Sequence, residues 1–260
     1  MYARIIALFV IVAAIALVLA VIGLAVSGGD DDDGSNRDDN SVDGELASCS
    51  ALSELESYRY AISVHIAGVG ESPSEPQEGE LTTAPLSALG EALAQLLSDF
   101  SLEGAYVNPD RSLALLTFGE EEIELRQFGD ESWVRVGDEW EQGDASADEL
   151  LMPVLVCNEV VQAVSPSLVE AEPTDVTANG IDATHYVLDP EKTQNLPPVL
   201  GQELTDPYTV DLWVAEDGRY PARLHIESDD PDGEEPAFRL AMEVMDVGDE
   251  EIRVETPETD

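Results

Sequence analysis

Apolar and polar residues alternate one for one in segment after segment of this chain. A period of two marks a β-strand with one dry face and one wet face, so the chain is constrained to an antiparallel sheet covered on one side. Tyr58, Tyr60, Ile62, Val64 and Ile66 share one side of the first such segment, with Arg59, Ser63 and His65 on the other. The alternation returns in Leu102, Gly104, Tyr106; in Leu113, Leu115, Thr117; in Ile123, Leu125, Gln127; and in Val134 and Val136 beside Trp133 and Arg135. It resumes with Tyr208, Val210, Leu212, Val214, then Leu224 and Ile226 against Arg223, His225 and Glu227, then Phe238, Leu240, Met242 and Val244. Turn formers stand between segments at Asn108-Pro109-Asp110, Gly119-Glu120, Gly129-Asp130, Gly137-Asp138, Asn179-Gly180 and Asp217-Gly218. Most strands are therefore hairpin neighbours, and the sheet is a meander.

Three stretches replace this period with helical spacing. Leu46, Cys49, Leu52 and Leu55 predict a helix ahead of the first strand, and Leu86 to Leu97 predicts a second that is apolar nearly all round. Ala147 to Val164, with Leu150, Leu151, Val154, Val160 and Val161 around Cys157, predicts the third. Residues 191 to 204 are broken by Pro and read as loop. The fold class expected is α+β, with helices laid on the dry face of the sheet, and cover for the core is the ordinary use of such helices.

Charge excludes some partners. The chain holds 56 Asp and Glu against 11 Lys and Arg, a formal net charge of −45, and nucleic-acid binding needs clustered positive charge, so no nucleic acid is expected. With 43% hydrophobic residues the chain is not a solvated acidic tail; the charge coats a core.

Ile5 to Val26 carries no charged side chain and as a helix spans roughly 33 Å, enough for a bilayer core. Arg4 lies before it and Asp30 to Asp33 after it, which places the bulk of the chain outside the cytoplasm. Residues 1–29 are thus read as a transmembrane signal-anchor of the plasma membrane, single-pass, with a cleavable signal peptide ending at Ala25-Val26-Ser27 as the alternative. A lipobox reading of Leu46-Ala47-Ser48-Cys49 fails, because Cys49 follows a long polar stretch and not the apolar run. Residues 30–45 are an acidic spacer without aromatic residues, expected to stay extended. Aligned on Gly34 or Gly233, neither acidic stretch has the ligands of a calcium loop. Residues 46–257 form the extracytoplasmic domain.

An exported compartment permits a disulfide between Cys49 and Cys157, the two cysteines of the chain, with a pair of buried thiols as the alternative. The sequence has no Gly-x-Ser-x-Gly elbow, no phosphate loop and no His-Glu-x-x-His motif. His65, His185 and His225 stand singly in strand-like segments. No catalytic residue, metal site or cofactor is expected, and the chain is read as a non-enzyme.

Several phrases of the sequence resemble, in order, those of the LppX/LprG-type lipoproteins of the LolA-like group. They are Ser57-Tyr58-Arg59-Tyr60, Gly104 to Trp140, Gly180 to Asp189, Val210 to Ile226, and Val244 to Pro257. The resemblance implies a strongly curved antiparallel half-barrel whose concave face, partly closed by helices, holds lipid or another apolar small molecule. The cavity-lining candidates are then Ile62, Val64, Leu102, Tyr106, Leu113, Leu115, Ile123, Leu125, Val134, Val210, Leu212, Leu224, Ile226, Leu240, Met242 and Val244. In this sequence a protein helix stands where that family carries a lipid anchor, and residues 67–98 appear as an insertion. Leu89, Leu93, Leu96 and Leu97 of that insertion are expected to form a lid. The alternative function is an envelope protein-interaction or stress-sensor module with a protein partner.

So acidic a surface with Lys192 as its only lysine is suited to a saline surrounding that screens self-repulsion. The thermal midpoint of the protein is expected to rise with sodium chloride between low and molar concentration; a midpoint flat in salt would count against this.

Overall fold

A computed structural model of the protein describes residues 47–66, 99–119, 121–137, 139–143, 153–161, 171–188, 208–228 and 238–257. The apolar N-terminal run, the acidic spacer, residues 191–204 and the expected lid helix with Leu89, Leu93, Leu96 and Leu97 lie outside the described residues. Among the described residues no helix is long and apolar enough to cross a membrane.

The period-two segments form one antiparallel sheet of 11 strands. They are β1 (Ser57–Ile66), β2 (Asp99–Val107), β3 (Arg111–Phe118), β4 (Glu121–Phe128), β5 (Glu131–Val136), β6 (Glu139–Gly143), β7 (Thr174–Ala178), β8 (Ile181–Leu188), β9 (Tyr208–Ala215), β10 (Pro221–Ser228) and β11 (Phe238–Met245). Their order across the sheet is β6-β5-β4-β3-β2-β1-β11-β10-β9-β8-β7. Every pair of neighbours but one is consecutive in sequence. The exception is the central seam between the first and last strands, where Tyr60 faces Val244, Ile62 faces Met242 and Val64 faces Leu240.

The expected turns join the expected strands. At Asn179-Gly180 both residues take positive φ, 54° and 79°, the pairing a two-residue hairpin turn demands and one that Asn-Gly adopts cheaply. The two ends of the sheet differ. Tight turns close the end at residues 108–110, 129–130, 179–180 and 216–218, while the connections 67–98, 189–207 and 229–237 all leave from the opposite end.

The first helix is shorter than its spacing predicts. Ahead of β1 there is a single turn, α1 (Ala51–Glu54), and Leu55 is already extended at ψ 140°. Of the third expected helix the described part is one α-turn, α2 (Pro153–Val156), running into a π-helical turn at Cys157–Val161. Cys49 and Cys157 are joined in a disulfide, with Cα atoms 5.6 Å apart and a sequence separation of 108. The bond pins the connection between the two sheet edges to the segment that enters β1. Closing so long a loop removes chain entropy worth ~4–5 kcal/mol in the unfolded state.

Gly104 of β2 marks a close approach. A Cβ there would stand 2.3 Å from Tyr60 Cζ and 2.4 Å from the Leu113 carbonyl oxygen, because the Tyr60 ring lies across the glycine opposite it in the ladder. Gly104→Ala is expected to cost about 1–3 kcal/mol through overpacking, read as a lowered urea midpoint at unchanged slope.

Candidate functional site

One face of the sheet is apolar from β4 to β9, and its residues come from alternate positions matched across the ladders. Ile62 lies opposite Leu102 and Met242, Met242 opposite Leu224, and Leu224 opposite Leu212. Leu212, Leu224, Ile226, Met242, Val210 and Val244 are completely buried. Among the described residues this face is overlain by Cys49, Leu52, Cys157 and Val161, which belong to the same cluster.

The sequence candidates fall on this face with two exceptions. Ile62, Val64, Leu102, Tyr106, Ile123, Leu125, Val134, Val210, Leu212, Leu224, Ile226, Leu240, Met242 and Val244 all pack in the cluster. Leu113 and Leu115 do not. The turn at 108–110 pairs Val107 with Arg111, which sets Leu102 opposite Leu116 and Gly104 opposite Ala114. Ser112, Ala114, Leu116 and Phe118 are therefore the inward residues of β3. The run Leu113-Ala114-Leu115-Leu116 is apolar at every position, so periodicity could not choose its face, and a one-residue change of register exchanges the two sets. Leu113 instead joins a small cluster on the outer side with Ala105, Val107, Phe128, Ile252 and Val254. There the C-terminal segment crosses the sheet, held by a hydrogen bond from Arg126 Nη1 to the Glu255 carbonyl at 2.8 Å.

Aromatic residues close both ends of the apolar face. At the tight-turn end Tyr58 packs against Tyr106 at 5.3 Å between ring centroids and against Tyr60 at 6.1 Å. At the opposite end Phe100 packs on Phe118 at 5.2 Å. Burial pushes the Tyr58 phenol well above its ordinary range, and burial also raises Tyr106, so both remain hydroxyl donors in neutral solution. Tyr106 donates to the Pro109 carbonyl at 3.0 Å. The Tyr58 hydroxyl is buried without a partner, as is the Ser228 Oγ.

The outer side carries the charge. Glu124 accepts from Arg126 at 2.7 Å and from Arg135, and both guanidiniums stack on Trp140, at 4.9 and 5.2 Å. Across the other half runs a second series: Glu243 to Arg223 at 2.9 Å, Arg223 over Trp213 at 5.0 Å, and Trp213 stacked on His185 at 4.2 Å. His185 bonds to Asp211 at 2.8 Å and His225 pairs with Glu227 at 3.4 Å. The two histidines are thus rungs of the wet face. Among the described residues no group of three or more His, Cys, Asp or Glu is placed to hold a metal ion.

No protein-family model and no curated protein matches the chain. Solved structures similar to it include LprF from Mycobacterium bovis, 12% identical, with 82% of this chain and 94% of that chain covered at a TM-score of 0.41. A LolA superfamily protein from Nitrosomonas europaea is 12% identical over 76% of this chain and 90% of that one, at a TM-score of 0.24. These neighbours belong to the groups that the sequence phrases resemble.

The register of β3 separates two adjacent leucines by consequence. Leu116→Ala is expected to cost about 2–5 kcal/mol, and Leu115→Ala no more than about 1 kcal/mol, in equilibrium unfolding followed by circular dichroism. Equal costs would mean that the β2–β3 register is wrong.

Proposed function

We propose that the protein is a membrane-anchored, extracytoplasmic binding protein that holds a lipid or another apolar molecule against the dry face of its sheet, curved as a half-barrel. The observation that carries this reading is the span of that face. An uncharged row crosses seven strands, from Ile123 through Leu116, Leu102, Ile62, Met242 and Leu224 to Leu212. Its exposed edge is also an open sheet, not a closed barrel with a fixed interior. The sequence resemblance to the LppX/LprG type supports the same reading.

Anchoring rests on Ile5 to Val26 and on the acidic spacer that follows. Such an anchor keeps the domain at one membrane, so the bound molecule is presented or buffered there and not ferried across a gap. Chemistry on the ligand has no support: the histidines and the clasped carboxylates stand on the far side of the sheet.

A second reading is favoured by one observation. Leu212, Leu224, Ile226 and Met242 are fully buried, as they would be in a filled core, which suits a protein-interaction or sensor module. Native mass spectrometry of the full chain, extracted from its host membrane in a mild nonionic detergent, separates the two. Mass increments of co-purifying lipid are expected; a lipid-free domain that carries along a membrane protein would sink the binding reading.

A further inference from the structure

We propose that the Cys49–Cys157 disulfide is a redox latch on the cover of the dry face. Closed, it holds Pro153–Val161 against the sheet; opened by a dithiol, it frees that segment, so that the face is reached without unfolding the strands. The latch rests on the fold alone and is independent of the binding function proposed above.

The strand order lets the cover leave. The connection that carries Cys157 departs from β6 at Gly143 and enters β7 at Thr174, and β6 and β7 are the two edge strands. No ladder of the sheet passes through this connection, so lifting it breaks no pairing between described strands. It also has slack. The 31 steps from Gly143 to Thr174 reach about 100 Å when fully extended, whereas the ten intervals between 11 strands cover about 48 Å.

The bond joins a fastened partner to a releasable one. On the Cys49 side Ser48 N–H donates to the Arg219 carbonyl at 2.8 Å and Asn108 N–H to the Glu56 carbonyl at 2.9 Å, while Asn108 Nδ2 donates to the Ser53 and Leu55 carbonyls at 3.3 and 3.4 Å. On the Cys157 side Pro153, Cys157 and Val161 are buried, and Val154 and Val156 are partly so. What these side chains return on burial is of the same order as the entropy of fixing the segment's backbone, so the covalent tie decides whether it stays down. A π-helical turn begins at Cys157 itself, and such turns are rare and concentrate at functional sites.

The dithiol balances the exchange. Its thiolate attacks one sulfur of the bond to form a mixed disulfide, and its second thiol then displaces the protein sulfur. The reductant leaves as a disulfide, and Cys49 and Cys157 have gained two electrons and two protons. The two cysteines are 4% and 0% exposed, so the attack follows a local opening and not a collision with the resting surface.

The test follows amide hydrogen exchange by mass spectrometry on the full chain in nonionic detergent, oxidised and after excess dithiothreitol, with free thiols counted in parallel. On reduction the amides of residues 153–161 are expected to exchange at least about ten-fold faster, over a labelling time in which β1, β10 and β11 stay protected in both states. Reoxidation with diamide, once the dithiol is removed, is expected to restore protection. The Cys49→Ser/Cys157→Ser double variant is expected to match the reduced protein with no reductant present. Unchanged protection at 153–161 in a protein with two free thiols overturns the proposal, because packing then holds the cover by itself. Loss of protection in the central strands together with the segment overturns it too, because the bond is then a staple of the whole fold. A bond that stays oxidised under dithiothreitol overturns the redox latch. Should the double variant fail to fold, the reduced wild type still decides.

Discussion

The pairing of β1 with β11 is the contact on which the rest of this sheet depends. All other ladders join strands that follow one another in the chain, and each can form as a local hairpin or across one connection. Only the seam from Arg59 opposite Met245 to Ile66 opposite Phe238 brings the beginning and the end of the domain together. Without it there would be two separate meanders, each with an exposed apolar edge strand at its heart. Its inward residues, Tyr60, Ile62 and Val64 against Val244, Met242 and Leu240, are all buried, Val244 and Met242 completely. The ends are fastened around it by Gly248 N–H to the Ser57 carbonyl at 2.8 Å and by Ser48 N–H to the Arg219 carbonyl at 2.8 Å.

The two faces of the sheet solve opposite problems. Inside, apolar burial supplies the stabilisation, on the order of 1.5–3 kcal/mol for each large side chain withdrawn from water. Outside, a chain with few cations spends most of those on its strands holding carboxylates and tryptophans. Each exposed ion pair or cation–π contact is worth at most about 1 kcal/mol. Their value lies in placement: Arg126 serves at once the buried Glu124, the Trp140 ring and the Glu255 carbonyl, so one side chain joins two strands and the C-terminal segment.

Much of this was legible in the residues, and the failures have physical causes. Strands with one wet face announce themselves, so β1, β2, β4, β9, β10 and β11 and the turns between them follow from alternation and from Gly, Asn and Asp. β6 and β7 carry little apolar signal because they are edges: Glu139, Glu141, Thr174 and Asp175 meet solvent. β3 carries too much, and its face is decided by the turn before it and not by its own composition. The helical spacing of Leu46, Cys49, Leu52 and Leu55 overstated a single turn, since four apolar residues on one face serve equally a short turn and the irregular chain that leads into a strand. The cysteine pair was foreseeable as a pairing, but its partners meet only because the edge-to-edge connection passes beneath the sheet near the start of β1, and that is a property of topology. The outer stacks of Trp140 and Trp213 arise from register between strands, which single-chain periodicity does not contain.

The strand order has a consequence for the chain as a closed cycle. Read from β6 inward to β1, across to β11 and outward to β7, the sheet visits the strands in the cyclic order of the sequence, interrupted only by the connection that carries Cys157. The start of β1 and the end of β11 therefore lie side by side in the middle of the sheet, and the edge strands β6 and β7 are joined by an interior connection of the chain. A circularly permuted protein with its ends joined beside β1 and β11, and opened between β6 and β7, would keep each strand neighbour while turning the one long-range pairing into a local one. Such a permutant has a lower contact order and so a faster intrinsic folding rate than the natural chain. In the natural order of the chain the central seam cannot form until β11 has been made, so the dry face stays in two halves until its eleventh described strand emerges.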